Sequence, residues 1–250
     1  MDFQMIATNL DVAFIVQSCH CDFNIRRLDR YLVAANEGHI EPIVILSKTD
    51  LVSPAELDGM IARIGDACIS AQLLPISNTT GSGLREFREF LLPGKTFCLL
   101  GSSGIGKTTL INRLTGRDLL DTNTVSGTGE GVHTTARRQL LVLDNGAMLV
   151  DTPGMRELGL LGASDAVEAS FPDIHELSFA CRFSNCTHTQ EPGCAVLNAI
   201  EAGYLSEERY QSCLKLKKET EYHDRSYVEK RKKDREFGRF IKSAQKHGKY

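Results

Sequence analysis

Apolar positions fall into two rhythms along the chain. Short, largely β-branched runs read as buried strands at Val12-Ala13-Phe14-Ile15-Val16, Ile43-Val44-Ile45-Leu46 and Leu73-Leu74-Pro75-Ile76-Ser77. Helical spacing governs the stretches between. Ile25, Leu28, Leu32 and Ala35 line one face of a predicted helix over Asn24 to Ala35, with Asn36-Glu37-Gly38 as its stop. Ser53-Pro54-Ala55-Glu56 starts a second helix that runs to about Ile64, with serine as cap, proline first and glutamate third. Gly83-Leu84 opens a third that ends by Leu91, before Pro93-Gly94. Phe97-Cys98-Leu99-Leu100 is a further strand, and Thr109-Leu110-Ile111-Asn112-Arg113-Leu114 the helix beyond it.

From Asp121 to Thr135 the chain is polar and rich in Gly and Thr, a long mobile loop of the length at which function is suspected. Gln139–Leu143 and Ala147–Val150 then read as two strands around a turn at Asp144-Asn145-Gly146. Strands alternating with helices predict an α/β fold with a mostly parallel sheet, to which this hairpin adds one antiparallel edge. After Asp151-Thr152-Pro153-Gly154 strand signals stop, and helical, charged sequence follows. The expected division is 1–162 for the α/β domain and 163–250 for a small helical domain.

Between the fourth strand and its helix lies Gly101-Ser102-Ser103-Gly104-Ile105-Gly106-Lys107-Thr108, the spacing G-x-x-x-x-G-K-[ST] in a strand–loop–helix setting. Glycines let backbone N–H groups wrap a phosphate chain, and the following helix start adds its positive end. Lys107 is placed to reach the β- and γ-phosphates and Thr108 to ligate Mg²⁺, with Thr109 counted among the GTP-binding residues. The base is read elsewhere. Ser47-Lys48-Thr49-Asp50 ends a buried strand, where the Asp50 carboxylate can accept both N1–H and N2–H₂ of guanine, a pair adenine does not offer. Lys48 can lay its stem along the base. Ser77-Asn78, after the next strand, is placed to offer backbone N–H groups to guanine O6. Asp151 and Gly154 suit an aspartate near Mg²⁺ and a glycine N–H facing the γ-phosphate, and Thr134 and Thr135 suit a loop that closes over both.

The order of these segments is unusual: the base-reading residues precede the phosphate loop. On Gly101–Thr108, Gly131-Val132-His133-Thr134-Thr135, Asp151–Gly154, a Cys/His cluster and a basic tail, the chain resembles the circularly permuted GTPases, and most closely the RsgA (YjeQ) family of GTPases that depend on the small ribosomal subunit. The resemblance covers about Ile6 to Lys246. It implies a circularly permuted P-loop GTPase domain followed by a zinc-binding helical domain, GTP hydrolysis to GDP and phosphate, and a role in late small-subunit (30S) maturation. The position where Ras-like enzymes carry a water-orienting glutamine is Met155, so intrinsic turnover is expected to be slow and partner-stimulated. His133 is the candidate to orient the water, the alternative being a solvent-exposed loop histidine. With Thr134 and Thr135 it makes up the catalytic set; Thr108, Thr134 and Asp151 are the expected magnesium ligands.

Cys181, Cys186, His188 and Cys194 form C-x₄-C-x-H-x₅-C, the ligand set of a closed, structural Zn²⁺ site, with buried unligated cysteines as the alternative. Cys19, Cys21, Cys68, Cys98 and Cys213 read as packing or incidental thiols. The charge is uneven: Val228 to Tyr250 holds nine Lys/Arg against three Asp/Glu, a net of +6, leaving −9 for the rest. Lys230 to Lys246 with Phe237, Phe240 and Ile241 interleaved is read as an amphipathic helix facing rRNA, or else a solvated surface helix.

No apolar run approaches the ~20 residues that cross a bilayer, and Met1-Asp2-Phe3-Gln4 does not begin a signal peptide. A cytoplasmic monomer without membrane contact is expected. Two departures from the family pattern stand out. Family members typically begin with an oligonucleotide-binding barrel, and no five-strand barrel fits before Val12, so weaker subunit binding is expected. Ser47 replaces the usual Asn of Asn-Lys-x-Asp, and a serine is too short to link base edge to phosphate loop, so reduced nucleotide affinity is expected. The runner-up is a GTP-binding switch with a non-ribosomal or lost target. An ATP-dependent kinase or ATPase leaves Lys48 and Asp50 without a role.

Overall fold

A computed structural model describes residues 8–67, 69–116, 139–152, 163–224, 232 and 235. Each apolar run of the first half becomes a strand of one six-stranded sheet: β1 (Val12–Ser18), β2 (Glu41–Ser47), β3 (Gln72–Pro75), β4 (Thr96–Leu100), β5 (Gln139–Val142) and β6 (Met148–Asp151). The spatial order is β3-β2-β1-β4-β6-β5. Every neighbouring pair is parallel except β5–β6, the expected antiparallel edge.

The central strands carry unbroken apolar runs, Val12 to Val16 and Ile43 to Leu46, because both faces are covered. Along β1, Phe14 and Val16 face one core with Ile43, Ile45, Phe97 and Leu99. Ala13 and Ile15 face the other with Val44, Leu46, Cys98 and Leu100. Phe14 anchors the first, edge-on to Phe87 at 4.7 Å and stacked on Phe97 at 5.5 Å between ring centroids.

Helices close the faces: α1 (Ile25–Glu37), α2 (Pro54–Asp66), α3 (Leu84–Phe90) and α4 (Lys107–Thr115). α1 begins at Asn24, whose side chain accepts from the Arg27 N–H. α2 begins with the predicted capping box between Ser53 and Glu56, with proline in its first turn. Gly83 precedes α3 at φ +76°, and a Cβ there would lie 2.2 Å from the Pro75 carbonyl oxygen, so the turn requires glycine.

Four further helices, α5 (Ser164–Ser170), α6 (Pro172–Ser178), α7 (Ala195–Glu201) and α8 (Glu207–Asp224), share a third core built from Val167, Phe171, Val196, Cys213 and Leu216. Val33 of α1 joins that core. Thus α1 is buried on two sides, by Leu28 and Leu32 against the sheet and by Val33 against the helical module.

The clasp between them is ionic. Arg209 of α8 is 4% exposed and donates to Asp29 of α1 at 3.2 Å, to both carboxylate oxygens of Asp173 at 2.9 and 3.1 Å, and to the Ser170 carbonyl. Its guanidinium also lies over the Phe171 ring at 4.3 Å. Arg30 forks onto Glu219 at 2.5 and 2.6 Å.

Candidate nucleotide site and metal centre

The chain runs β1, β2, β3 outward and then returns to the other side of β1 as β4, so a crevice opens at the C-terminal ends of β1 and β4, where α/β sheets hold their ligands. That edge collects the segments singled out in the sequence. Ser47-Lys48-Thr49-Asp50 follows β2, Ser77-Asn78 follows β3, Gly101–Thr108 joins β4 to α4, and Asp151 ends β6. Parallel pairing brings them together although more than a hundred residues separate the first from the last.

Gly101 sits at φ +148°, and a Cβ there would meet the Val16 carbonyl oxygen at 2.5 Å; only glycine lets the loop leave the sheet so close to β1. Lys107 is buried at the start of α4 and donates to the Gly101 and Ser102 carbonyls at 2.7 and 2.6 Å. Burial pushes its pKa down to about 8, against the pull of Asp151 and Asp22 in the other direction. Thr108 is half-buried beside it, and Thr109 is exposed. Asp151 is 1% exposed, and Thr152 ties β6 to β4 through its hydroxyl to the Leu99 carbonyl.

Side chains from two strand ends hold the loop. Ser47 donates to the Ile105 carbonyl at 2.7 Å, with the Gln17 carbonyl also in reach at 3.2 Å. This corrects one half of the expectation drawn from its length: the serine does reach the phosphate loop, because β2 ends close against it. Asn78 donates through Nδ2 to the Gly106 carbonyl at 3.1 Å. Ser77 donates to the Asp50 carboxylate at 2.6 Å and orients it. A second correction concerns the Ser77 backbone N–H, which donates to the Ser82 carbonyl at 2.9 Å and is spent on its own turn rather than offered to a base. Lys48 takes a left-handed conformation, φ 59°, as the chain leaves β2 for the 3-10 turn Thr49–Leu51.

Three neighbours escaped the sequence reading. Arg27 donates to Ser102 Oγ at 2.6 Å and to Asp22 at 2.6 Å, placing a guanidinium against the phosphate loop. Tyr31 is fully buried behind it, and burial pushes its hydroxyl up to about 12. Gln17 braces the loop that carries Asp22 through paired bonds to the Asn24 N–H and carbonyl at 2.8 and 2.9 Å. An arginine in a helix over Asn24 to Ala35 gives no linear sign that the fold turns it toward residue 102. Gly131 to Thr135, including His133 and Thr134, together with Gly154, Met155 and Cys68, lie outside the described residues. So does the basic tail apart from Lys232 and Arg235, both exposed.

Cys181, Cys186, His188 and Cys194 bring their ligand atoms within 4.8 Å of one another and can hold a metal ion. Cys181 Sγ to Cys194 Sγ is 3.9 Å, and His188 Nδ1 lies 3.5 and 3.4 Å from those sulfurs. These match the roughly 3.8 and 3.6 Å edges of a tetrahedron built from bonds of about 2.3 Å to sulfur and about 2.1 Å to nitrogen. Backbone N–H groups of Ala195 and Leu197 point at the Cys181 and Cys194 sulfurs at 3.4 and 3.5 Å. His188 is held at φ 61° by Tyr210, whose hydroxyl donates to its carbonyl. Glu191 accepts from Thr187 and from the N–H groups of Thr189 and Gln190, bonds that hold its carboxyl far below the usual range.

No helix among the described residues is long and apolar enough to cross a membrane. The family model for the RsgA GTPase matches residues 1–161. "Small ribosomal subunit biogenesis GTPase RsgA 2" of Lactiplantibacillus plantarum is 42% identical over 240 residues, 95% of this chain and 67% of that protein. The chain thus spans about two thirds of the length of the curated relatives it matches. YjeQ from Thermotoga maritima superposes with a TM-score of 0.61 at 28% identity, over 84% of this chain and 71% of that one. YloQ, described as a circularly permuted GTPase, gives 0.61 at 27% identity over 88% and 71%.

Proposed function

The chain belongs to the RsgA GTPase family, and we propose that it binds GTP, hydrolyses it to GDP and phosphate, and acts in maturation of the small ribosomal subunit. One observation carries this reading: the phosphate loop is bonded through Ser47 to the β2 end that presents Lys48 and Asp50, and through Asn78 to the β3 end whose Ser77 orients Asp50. A general phosphate-binding loop has no need of that attachment, whereas a guanine site requires base reader and phosphate cradle in fixed register.

In this reading the Asp50 carboxylate, oriented by Ser77, accepts from guanine N1–H and N2–H₂, and Lys48 covers the base. The backbone of residues 101–109 wraps the phosphates, and Lys107 exchanges its two carbonyl partners for phosphate oxygens. Thr108, Thr134 and Asp151 would hold Mg²⁺, which supplies charge neutralisation between the phosphates. His133 orients the attacking water and Thr135 closes the same loop, with Gly154 at the γ-phosphate. The metal at Cys181, Cys186, His188 and Cys194 is Zn²⁺, a closed structural centre for residues 163–250, while 1–162 form the GTPase domain. The basic tail contacts rRNA, and the protein works as a cytoplasmic monomer.

The test is the GTPase rate of the full chain with and without isolated small subunits, at two salt concentrations. Stimulation that fades with salt supports the proposal; its absence favours a GTP-binding switch with another target. His133→Ala is expected to abolish stimulated turnover and spare GTP binding, and unchanged stimulation would remove His133 from the mechanism. Competition by ATP as strong as by GTP would overturn the guanine assignment itself.

A further inference from the structure

Two successive carbonyls of the phosphate loop, those of Ile105 and Gly106, are held by side chains of different chemistry. Ser47 has one hydroxyl proton. With the Ile105 carbonyl at 2.7 Å and the side chain 1% exposed, that proton is committed to the backbone, and Ser47 has no donor left for a base. Asn78 is better equipped, since a primary amide carries two N–H donors and a carbonyl. One N–H takes the Gly106 carbonyl. Its Oδ1 is shut off from solvent and finds no hydrogen-bond partner among the described residues. The second N–H makes no hydrogen bond among the described residues either, and so is a donor open to an acceptor on a ligand. Glycine at 106 preserves the room it occupies: a Cβ there would lie 3.0 Å from Asn78 Nδ2.

Its location is also specific. Asn78 adjoins Ser77, which orients Asp50, and it touches the loop that cradles phosphate. It therefore stands between the carboxylate assigned to the N1–N2 edge of guanine and the phosphate backbone. Beyond the N1–N2 edge guanine presents two acceptors, O6 beside N1 and N7 farther round the ring; N7 is the one more distant from the atoms assigned to Asp50.

We propose that the Asn78 side chain reads guanine N7 with its second N–H, while the Gly106 carbonyl fixes the first. The work of the asparagine usual in Asn-Lys-x-Asp is then divided between two strand ends. Ser47 keeps the tie to the loop, and Asn78 supplies the amide that meets the base. This inference rests on the guanine-nucleotide reading above. It also reverses the expectation of weakened binding drawn from Ser47 alone.

The experiment is an equilibrium titration of the full chain, with Mg²⁺, against GDP, 7-deaza-GDP and ADP. The wild type should bind GDP about tenfold more tightly than 7-deaza-GDP, which lacks the N7 acceptor. Asn78→Ala should bind the two alike, at the weaker level, and Ser47→Asn combined with Asn78→Ala should recover the preference. Asn78→Asp keeps the side-chain volume and removes both N–H donors, so it repeats the test should the alanine variant not fold. A wild type indifferent to N7, or a preference that survives loss of the Asn78 amide, overturns the inference while leaving GDP binding intact. A wild type that binds ADP as well as GDP overturns the guanine reading and this inference with it.

Discussion

Replacing Arg209 by methionine should uncouple the helical module from α1. The guanidinium makes four hydrogen bonds, to Asp29, Asp173 and the Ser170 carbonyl, and lies over the Phe171 ring. Its side chain and that of Asp29 are each 2% exposed. Methionine fills much of the volume, so the principal loss is electrostatic: among the described residues Asp29 keeps only Ser212, at 2.7 Å, against its burial. Removing one partner of a buried pair costs about 3–5 kcal/mol, which for a chain of this size lowers the melting temperature by roughly 6–20 °C.

The pH dependence carries a second signature. Burial already raises the Asp29 carboxyl, while Ser212 and Arg209 oppose the shift; without Arg209 it rises further. A folded-state carboxyl above its unfolded value binds the extra proton in the native state, so stability falls as pH climbs through that raised value. The deficit of Arg209→Met should therefore be smaller at pH 5 than at pH 8. Urea unfolding followed by circular dichroism at the two pH values measures both. A loss under about 1 kcal/mol, or one identical at the two pH values, refutes the clasp. Adding Asp29→Asn and Asp173→Asn should return much of the stability, because a buried charge network replaced entirely is often near neutral.

Other measurements bear on the site directly. A polyphosphate against Lys107 should restore the charge that burial has weakened, so GDP binding takes up protons above pH 8 and its affinity falls as pH rises from 8 toward 10. Calorimetry at pH 8.5 in two buffers of different ionisation enthalpy reads this, and proton release would contradict it. Arg27→Ala frees Ser102 and should weaken GDP binding about tenfold through a loosened loop, whereas unchanged affinity at low salt would leave the guanidinium a surface ion pair. Elemental analysis should find one zinc per chain, lost in Cys186→Ser together with helical signal in circular dichroism; a metal-free wild type with the same melting profile would contradict the centre.

Much of this site was legible in one dimension because its chemistry is written in short spacings. A phosphate loop needs its glycines and lysine within eight residues, and a metal knuckle needs its thiols and imidazole within fourteen. Their local geometry follows from sequence neighbours alone. The strands were legible for a related reason: runs such as Ile43 to Leu46 are apolar at every position because both faces of a central strand are covered.

What stayed hidden depends on residues distant in the chain. Arg27 and Asp29 look like ordinary polar positions of an amphipathic helix, yet one reaches residue 102 and the other residue 209. The pattern over Asn24 to Ala35 identifies the face toward the sheet; it is silent about a second face, because Val33 meets a module folded from residues beyond 162. The reach of Ser47 to the loop was missed for the same reason. Side-chain length decides reach only once the distance is known, and packing of β2 against the phosphate loop sets that distance. Sequence alone determined the elements, the glycine-rich loop and the Cys/His cluster that can hold a metal, since each is a short-range pattern of residue type. The tertiary structure decided which polar groups meet across the sheet edge, because hydrogen bonds act over about 3 Å and only the folded chain brings residues 47, 78 and 106 within it.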